Sequence, residues 1–152
     1  PGEPVAHAEV DVWEADADGF YDVQRPELTV PQGRAVFRTD GEGRLNFKAV
    51  LPVAYPIPTD GPVGRMLAAV KRHPWRPAHV HFIVKAPGYE TLITHVFCDG
   101  DKYLDSDAVF GVRSSLIGDY VRHAPGAAPD GAVQATPFHT LDFSFVLEAA
   151  TS

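Results

Sequence analysis

The chain has 152 residues, of which 45% are apolar and 22% are charged, and this is enough for one globular domain with a buried core. Its net charge of -7 argues against binding to nucleic-acid phosphates, and no apolar stretch approaches the roughly 18 residues of a membrane span. A single cysteine cannot form an internal disulfide, so we expect a reducing, cytoplasmic setting.

The first half of the chain combines strand patterns with one helical segment. Alternating apolar residues predict a strand over residues 5–15, in which Val10 and Val12 face one way and Trp13 the other. Segments 35–38 and 45–50 predict a hairpin across a glycine-rich turn. Four prolines predict an irregular loop before a short helix, for which residues 64–72 are the clear candidate.

The second half of the chain is also dominated by strand patterns. Residues 78–85 and 91–98 predict two strands, and 109–112 a further short one. A helical turn is expected within 114–123, and the alternation over 141–147 predicts a last strand that closes the sheet. Together these elements predict an all-β protein, an antiparallel or mixed β-sandwich with long loops and little helix.

The pair His79 and His81 is the first candidate site. Residues two apart on a strand point to the same face, so these imidazoles, roughly 7 Å apart along the strand, can reach one metal ion. Alone the pair is a weak signal, because seven histidines produce pairs by chance. A cupin would need a glutamate a few residues later, where Val84 and Lys85 stand instead.

Two tyrosines strengthen the prediction of a metal site. Tyr21 stands in the motif GFYDVQ and Tyr55 in VAYPIP, upstream of the histidine motif RPAHVHF. Taken together, these segments resemble the intradiol ring-cleaving dioxygenases. The resemblance implies a transthyretin-like β-sandwich and a catalytic domain over residues 1–152, without the N-terminal strand and helical region of the family.

The resemblance also implies the metal and its ligands. In that family two tyrosines and a His-x-His pair hold a ferric ion, so Tyr21, Tyr55, His79 and His81 are the expected ligands of Fe(III). A phenolate is a hard, anionic oxygen donor and suits that ion. By resemblance, Tyr21 stays on the metal, whereas Tyr55 leaves and helps to take the protons of a catecholic substrate that O2 then cleaves.

Further residues have expected roles at the same site. Arg76 matches a family arginine that stabilises the electron-rich ring and developing negative charge. His95 is either a hydrogen-bonded core histidine or a donor near the substrate, and both readings stay open. Ile57, Ala108 and Val109 fall where family members line the ring pocket.

The substrate expectation rests on two longer stretches. YPIPTDGPVG and YLDSDAVFGV resemble hydroxyquinol 1,2-dioxygenases, and His95 agrees with them. We therefore expect cleavage of hydroxyquinol or catechol between the adjacent hydroxyls to a maleylacetate- or cis,cis-muconate-type dicarboxylate. A homodimer is the candidate assembly. The alternative is a non-catalytic transthyretin-like binding module. A zinc hydrolase is weaker, because tyrosine is a rare zinc ligand.

Several conspicuous residues are assigned structural roles. Asp101, Asp105 and Asp107 form an acidic cluster that lacks the glycine and terminal glutamate of an EF-hand loop. We interpret that cluster as structural. Trp13 and Trp75 are predicted to lie in the core.

Overall fold

The structure is a computed structural model that describes residues 2–151. The strands are β1 (Glu9–Trp13), β2 (Arg34–Arg38), β3 (Tyr55–Pro56), β4 (Trp75–Arg76), β5 (His79–Lys85), β6 (Leu92–Cys98), β7 (Ile117–Gly118), β8 (Val121–His123), β9 (Gly126–Ala127), β10 (Val133–Gln134) and β11 (Phe138–Thr140). The helices are α1 (Pro62–Ala69) and two short 3-10 helices (Asp22–Gln24 and Ser114–Leu116). The predicted all-β sandwich with little helix is confirmed.

The main sheet has five strands in the order β2-β1-β5-β6-β7. Its first three pairings are antiparallel, and the pairing of β6 with β7 is parallel, so the sheet is mixed. Three further two-stranded ribbons pair β3 with β4, β8 with β11, and β9 with β10. The small β3–β4 ribbon matters most for function, because it carries two of the predicted site residues.

One face of the main sheet forms the apolar core. Its centre is built from Val10 and Val12 of β1, Val80 and Phe82 of β5, and Val96 of β6, all buried. The side chains that cover it from a second layer come from two other segments: Leu45, Leu141, Phe143, Phe145 and Leu147. Full burial of a Val or Phe side chain at the centre of this core stabilises the fold by about 1.5–3 kcal/mol.

The predicted hairpin between segments 35–38 and 45–50 is wrong. The chain does turn after β2, where Asp40 N donates to Arg44 O at 2.9 Å, but the described residues 45–50 form no strand. Instead β2 pairs with β1, and Phe47 stacks on Phe37 with ring centroids 5.3 Å apart. Packing of the apolar side chains over the core therefore outweighs local hairpin pairing.

Two other strand predictions also differ from the structure. Residues 141–147, which are within the described range, form no strand, although their alternating apolar side chains do cover the core. Residues 109–112 form none either. Their amides at Val109 and Gly111 donate to the Asp107 carboxylate, at 3.4 and 2.9 Å, instead of to a neighbouring strand.

The helical predictions are confirmed with shifted boundaries. The helix expected over 64–72 is α1, which begins at Pro62, a residue that suits a first helical position because it needs no amide donor. Gly64 packs so closely on the backbone of Thr59 that an added Cβ would overlap Thr59 O. Among residues 2–151, no helix combines the length and apolar character that crossing a membrane requires.

Candidate metal centre

The candidate metal centre lies on the face of the main sheet opposite the core. The register of three adjacent strands places Trp13, His81 and His95 side by side, since His81 pairs with Trp13 of β1 and with His95 of β6. His79 points to the same face as His81 and pairs with Phe97. The predicted orientation of the two histidines, away from Val80 and Phe82, is confirmed.

A compact turn after β1 positions Tyr21 on this face of the sheet. Asp16 Oδ1 accepts the backbone N–H groups of Asp18 and Phe20, both at 2.9 Å. The 3-10 helix that follows starts at Asp22, whose carboxylate accepts Arg34 Nε at 2.7 Å and so ties the turn to β2. Tyr21 is thus anchored on both sides by carboxylates that satisfy the local backbone and a neighbouring strand.

The β3–β4 ribbon delivers Tyr55. In that ribbon Tyr55 lies directly opposite Arg76, and Ile57 N donates to Pro74 O at 2.9 Å. The Tyr21 turn packs closely on Tyr55: a Cβ at Gly19 would lie 3.0 Å from Tyr55 Cβ, and Gly19 has a φ of +85°. Both the close approach and the left-handed backbone favour glycine there.

The four predicted ligands come together in a closed ring of donor atoms. Tyr21 Oη lies 2.7 Å from Tyr55 Oη and 2.8 Å from His81 Nε2. His79 Nε2 completes the ring, at 3.2 Å from Tyr55 Oη and 3.1 Å from His81 Nε2. Four oxygen and nitrogen donors therefore converge on one point from three separate parts of the chain.

The chemistry of this ring fits a bound cation. His79 Nδ1 lies 2.7 Å from Pro77 O, and a carbonyl oxygen can only accept, so Nδ1 holds the proton and Nε2 presents a lone pair. That lone pair faces His81 Nε2 and the Tyr55 oxygen. A metal ion would be a common partner for all four donors, and a carbonyl-oriented imidazole is typical of metal-binding histidines.

Burial keeps the donor groups neutral in the metal-free protein. Desolvation, assisted by the positive charge of Arg76, lowers the pKa of His79 to about 3, and desolvation and the neighbouring His79 lower the pKa of His81 to about 2. Both imidazoles are therefore neutral at physiological pH, as metal ligands must be. Burial and the hydrogen bond with Tyr55 raise the pKa of Tyr21, so its phenol needs a cation to ionise.

His95 belongs to the same cluster. Its ring centroid lies 4.5 Å from that of His81 and 5.3 Å from that of His79, and the potential ligand atoms of the three histidines all lie within 4.8 Å of one another. Such a group can hold a metal ion. Desolvation and the charge of Arg76 lower the pKa of His95. The structure thus brings His95 to the site and leaves its two predicted roles open.

Arg76 is buried at the edge of the donor ring. It is 5% exposed, and its Nη1 lies 3.0 Å from His79 Nε2. Because a guanidinium only donates, Nη1 donates to the lone pair of His79 in the metal-free protein. A metal ion would take that lone pair, which would leave Nη1 free to donate to an anionic group bound beside it.

The predicted ring-pocket residues lie on the Arg76 side of the site. Ala108 is buried and its N–H donates to Trp75 O at 3.1 Å, Ile57 is half-buried, and Val109 is exposed. A separate open cavity of about 330 Å³ adjoins the donor ring on the β1 side. Its lining does not include those three residues and consists of Trp13, Tyr21, Val23, Arg34, Tyr55 and His81.

One residue that contacts the site was misjudged from sequence, and another has a contact that the sequence did not indicate. Trp13 was predicted to lie in the core, but it lies half-buried on the site face and stacks on His81. The alternation in β1 had already placed Trp13 on the face opposite Val10 and Val12, which indicated that it lies outside the core. Asp107, which was assigned a structural role, forms an ion pair with Arg76 at 3.2 Å, and its structural role stays a prediction. No local pattern distinguishes it from Asp105.

Comparison with known proteins identifies the family. The family model described as Dioxygenase matches residues 1–149. The chain belongs to the intradiol dioxygenase family. This family member is 60% identical over 146 residues to the 6-chlorohydroxyquinol 1,2-dioxygenase of Cupriavidus pinatubonensis, with 96% of the chain and 49% of that protein covered. The resemblance predicted from the tyrosine and histidine motifs is therefore confirmed.

Other members of the intradiol dioxygenase family agree in sequence and fold. A hydroxyquinol 1,2-dioxygenase from a Rhizobium species is 49% identical over 152 residues, with 96% of the chain and 50% of that protein covered. The solved hydroxyquinol 1,2-dioxygenase of Pseudomonas putida is 45% identical with a TM-score of 0.88, and covers 98% of this chain and 52% of that one. The chain spans about half the length of the curated relatives it matches.

Proposed function

We propose that the chain carries the catalytic centre of an intradiol dioxygenase that uses Fe(III) and O2. The substrate would be hydroxyquinol (1,2,4-trihydroxybenzene) or catechol, cleaved between its two adjacent hydroxyls to a maleylacetate- or cis,cis-muconate-type dicarboxylate. The observation that carries this proposal is the closed ring of two phenol oxygens and two imidazole nitrogens, with neighbours 2.7–3.2 Å apart. A non-catalytic binding module is not favoured, because it would not require this ring.

The proposed iron ligands are Tyr21, Tyr55, His79 and His81. Two tyrosinates and two neutral histidines would leave Fe(III) with a residual charge of about +1, which a single hydroxide compensates, and charge compensation permits a metal in a partly buried site. A catechol dianion can replace hydroxide and one tyrosinate without a change in net charge. When bound, the ferric ion would be chelated by the two catecholate oxygens and would supply Lewis acidity that draws electron density from the ring, which would make a ring carbon reactive toward O2.

The remaining steps depend on side chains of the chain itself. Tyr55 Oη is the atom that we expect to accept a substrate hydroxyl proton, while Tyr21 remains a ligand. Arg76, released from the lone pair of His79, would donate to the substrate oxygen and to negative charge that develops during cleavage. Its burial strengthens this interaction, because the local dielectric is low.

Hydroxyquinol is the preferred substrate in this proposal. Relatives named hydroxyquinol 1,2-dioxygenase are about half identical to the chain, whereas a named catechol 1,2-dioxygenase from Candida albicans is 40% identical. His95 offers a polar group beside the site, and Ile57, Ala108 and Val109 would line the ring. A buried polar group that catechol leaves without a partner costs about 1–3 kcal/mol.

Location, assembly and domain limits belong to the same proposal. The single cysteine, buried Cys98, suits a reducing cytoplasm, which stays a prediction, as does a homodimer. The family match over residues 1–149 supports residues 1–152 as a catalytic domain of the intradiol type. O2 and a catecholic small molecule are the proposed partners.

The test is product analysis under ¹⁸O2 with iron-loaded protein. We expect both oxygen atoms of one O2 to appear in a single dicarboxylate, and a kcat/KM about tenfold higher for hydroxyquinol than for catechol. Tyr89→Phe is a matched control, because Tyr89 lies at the far end of the sheet beside Ala149. Iron-loaded protein that binds catechols but leaves them intact would support the binding module instead.

A further inference from the structure

Arg76 is held by a partner that lies outside the proposed iron ligands. Asp107 Oδ1 accepts Arg76 Nε at 3.2 Å, and Oδ2 lies 3.4 Å from Nη2, so the two side chains meet edge to edge. The side chain of Arg76 is 7% exposed and that of Asp107 is 1% exposed. This contact occupies the Nε and Nη2 edge of the guanidinium and leaves Nη1 aimed at His79 Nε2.

Asp107 is itself fixed by its surroundings. Its carboxylate accepts the backbone N–H groups of Gly111 at 2.9 Å and Val109 at 3.4 Å. Burial would raise the pKa of Asp107, but the hydrogen bonds from Arg76 and Gly111 outweigh it, so the pKa is lowered and the group stays ionised. The carboxylate is therefore a rigid, charged acceptor.

The backbone around Asp107 is anchored as well. Ala108 N donates to Trp75 O at 3.1 Å, which joins this loop to the strand that carries Arg76. Arg72 Nη2 donates to Asp107 O at 2.9 Å. At Gly111, an added Cβ would lie 3.1 Å from both Arg76 Nη2 and Asp107 Oδ2, so the ion pair fills the space where a side chain would stand.

We propose that Asp107 is a positioning residue that aims Arg76 Nη1 at the metal pocket and offsets its positive charge. This inference rests on the proposed function, because a guanidinium beside a ferric site needs such compensation. Two cations a few ångströms apart repel each other strongly where water is excluded. An unpaired buried arginine would turn away from the metal, and Nη1 would no longer meet an anionic substrate.

A double-mutant cycle tests whether Asp107 acts through Arg76. Asp107→Asn keeps the size and one of the two side-chain acceptor oxygens but removes the charge and the other acceptor. We expect kcat for hydroxyquinol to fall about 10- to 100-fold. In an Arg76→Gln background, Asp107→Asn should lower kcat for hydroxyquinol by less than about twofold. Asp105→Asn, an exposed neighbour that contacts neither residue, should match the parent protein. Equal losses in both backgrounds would overturn the proposal.

A second measurement needs no metal and no activity. In metal-free protein labelled with ¹⁵N-arginine, the Nε–H of Arg76 should exchange slowly with water, and exchange should accelerate at least about tenfold in Asp107→Asn. Unchanged exchange would overturn the positioning role. If exchange responds while iron-loaded parent protein cleaves no catechol, the proposed function fails and the positioning of Arg76 by Asp107 stands.

Gly111→Ala provides a second variant in case Asp107→Asn does not fold. It keeps both charges and forces a methyl group between Arg76 Nη2 and Asp107 Oδ2. Gly111 is not among the glycines with positive φ, so alanine suits its backbone. We expect kcat to fall while iron content is retained. Full activity with a displaced ion pair in the crystal structure would contradict the proposal.

Discussion

Trp13 lies flat against the imidazole of His81, with ring centroids 4.8 Å apart and planes inclined by 4°. Pairing of β1 with β5 sets the two residues directly opposite each other, and His95 flanks His81 on the other side. Among the described residues, hydrogen bonds to the imidazole ring of His81 are found only at Nε2, the atom in the donor ring. Stacking by Trp13 therefore holds the orientation of the His81 ring, as the hydrogen bond to the Pro77 carbonyl holds that of the His79 ring.

We predict that Trp13→Leu weakens iron binding about tenfold, because loss of the flat neighbour lets the His81 ring rotate away from the donor ring. Trp13→Phe keeps an aromatic face and should bind iron nearly as well as the parent protein. Competition with a chelator measures both affinities. Equal affinity in the leucine and phenylalanine variants would show that stacking has no part in holding His81.

The two tyrosines should respond differently to loss of their hydroxyl groups. Tyrosinate-to-iron charge transfer should colour the iron-loaded protein red-brown. Tyr21→Phe should weaken iron binding and remove most of this colour, because Tyr21 is the ligand expected to stay. Tyr55→Phe should keep its iron but lose about 100-fold in kcat, because its phenolate takes the substrate proton. Iron content, the visible spectrum and single-turnover kinetics separate the two. Identical behaviour of both variants would remove the distinction.

Glu14 gives the metal-free protein a predictable pH dependence. It is 6% exposed, its Oε2 has no hydrogen-bond partner among the described residues, and desolvation raises its pKa from 4.5 to about 7. The folded state therefore holds a proton that the unfolded state releases above pH 4.5. Stability should fall as the pH rises from 4.5 to about 7, by about 3 kcal/mol in total.

Glu14→Gln tests this dependence. The amide cannot ionise, so the difference in unfolding free energy between variant and parent should grow in favour of the variant from pH 4.5 to about 7 and then level off. Glu27→Gln, at an exposed position, is the control and should track the parent at every pH. Urea unfolding of metal-free protein measures the three curves. A constant difference across this window would rule out titration of Glu14.

His95 should influence the choice of substrate. We expect His95→Gln to lower the kcat/KM ratio of hydroxyquinol to catechol from about ten towards one, because the imidazole no longer pairs with the third hydroxyl. Iron content should not change, because His95 is not among the four proposed ligands. An unchanged ratio with intact iron would assign His95 to the core, which is the other reading of its sequence.

Local periodicity was sufficient to predict part of this site. The alternation in β5 placed His79 and His81 on one face, opposite Val80, and the structure agrees. The contribution of Tyr21 and Tyr55 came from family resemblance, since no periodic pattern brings residues 34 positions apart to within 2.7 Å. The turn after β1 and the β3–β4 ribbon bring the two hydroxyl oxygens together, and both are tertiary features.

The failures of prediction involve contacts between distant segments. Asp107 and Arg76 are 31 positions apart, and their pairing depends on a loop that a carboxylate organises through backbone N–H groups. Likewise residues 45–50 do not form the predicted hairpin strand, and the ring of Phe47, which is 38% exposed, lies beside that of Phe82 with centroids 6.5 Å apart. Such tertiary packing outweighs local preference, and the neighbouring sequence alone carries no sign of it.

Anomalous diffraction from a crystal of the iron-loaded protein tests the central claim most directly. We expect one iron ion bonded to Tyr21 Oη, Tyr55 Oη, His79 Nε2 and His81 Nε2, each at about 2 Å. The structure also offers a different arrangement, the cluster of His79, His81 and His95. An ion held by those three histidines with both phenols turned away would contradict the proposed dioxygenase centre.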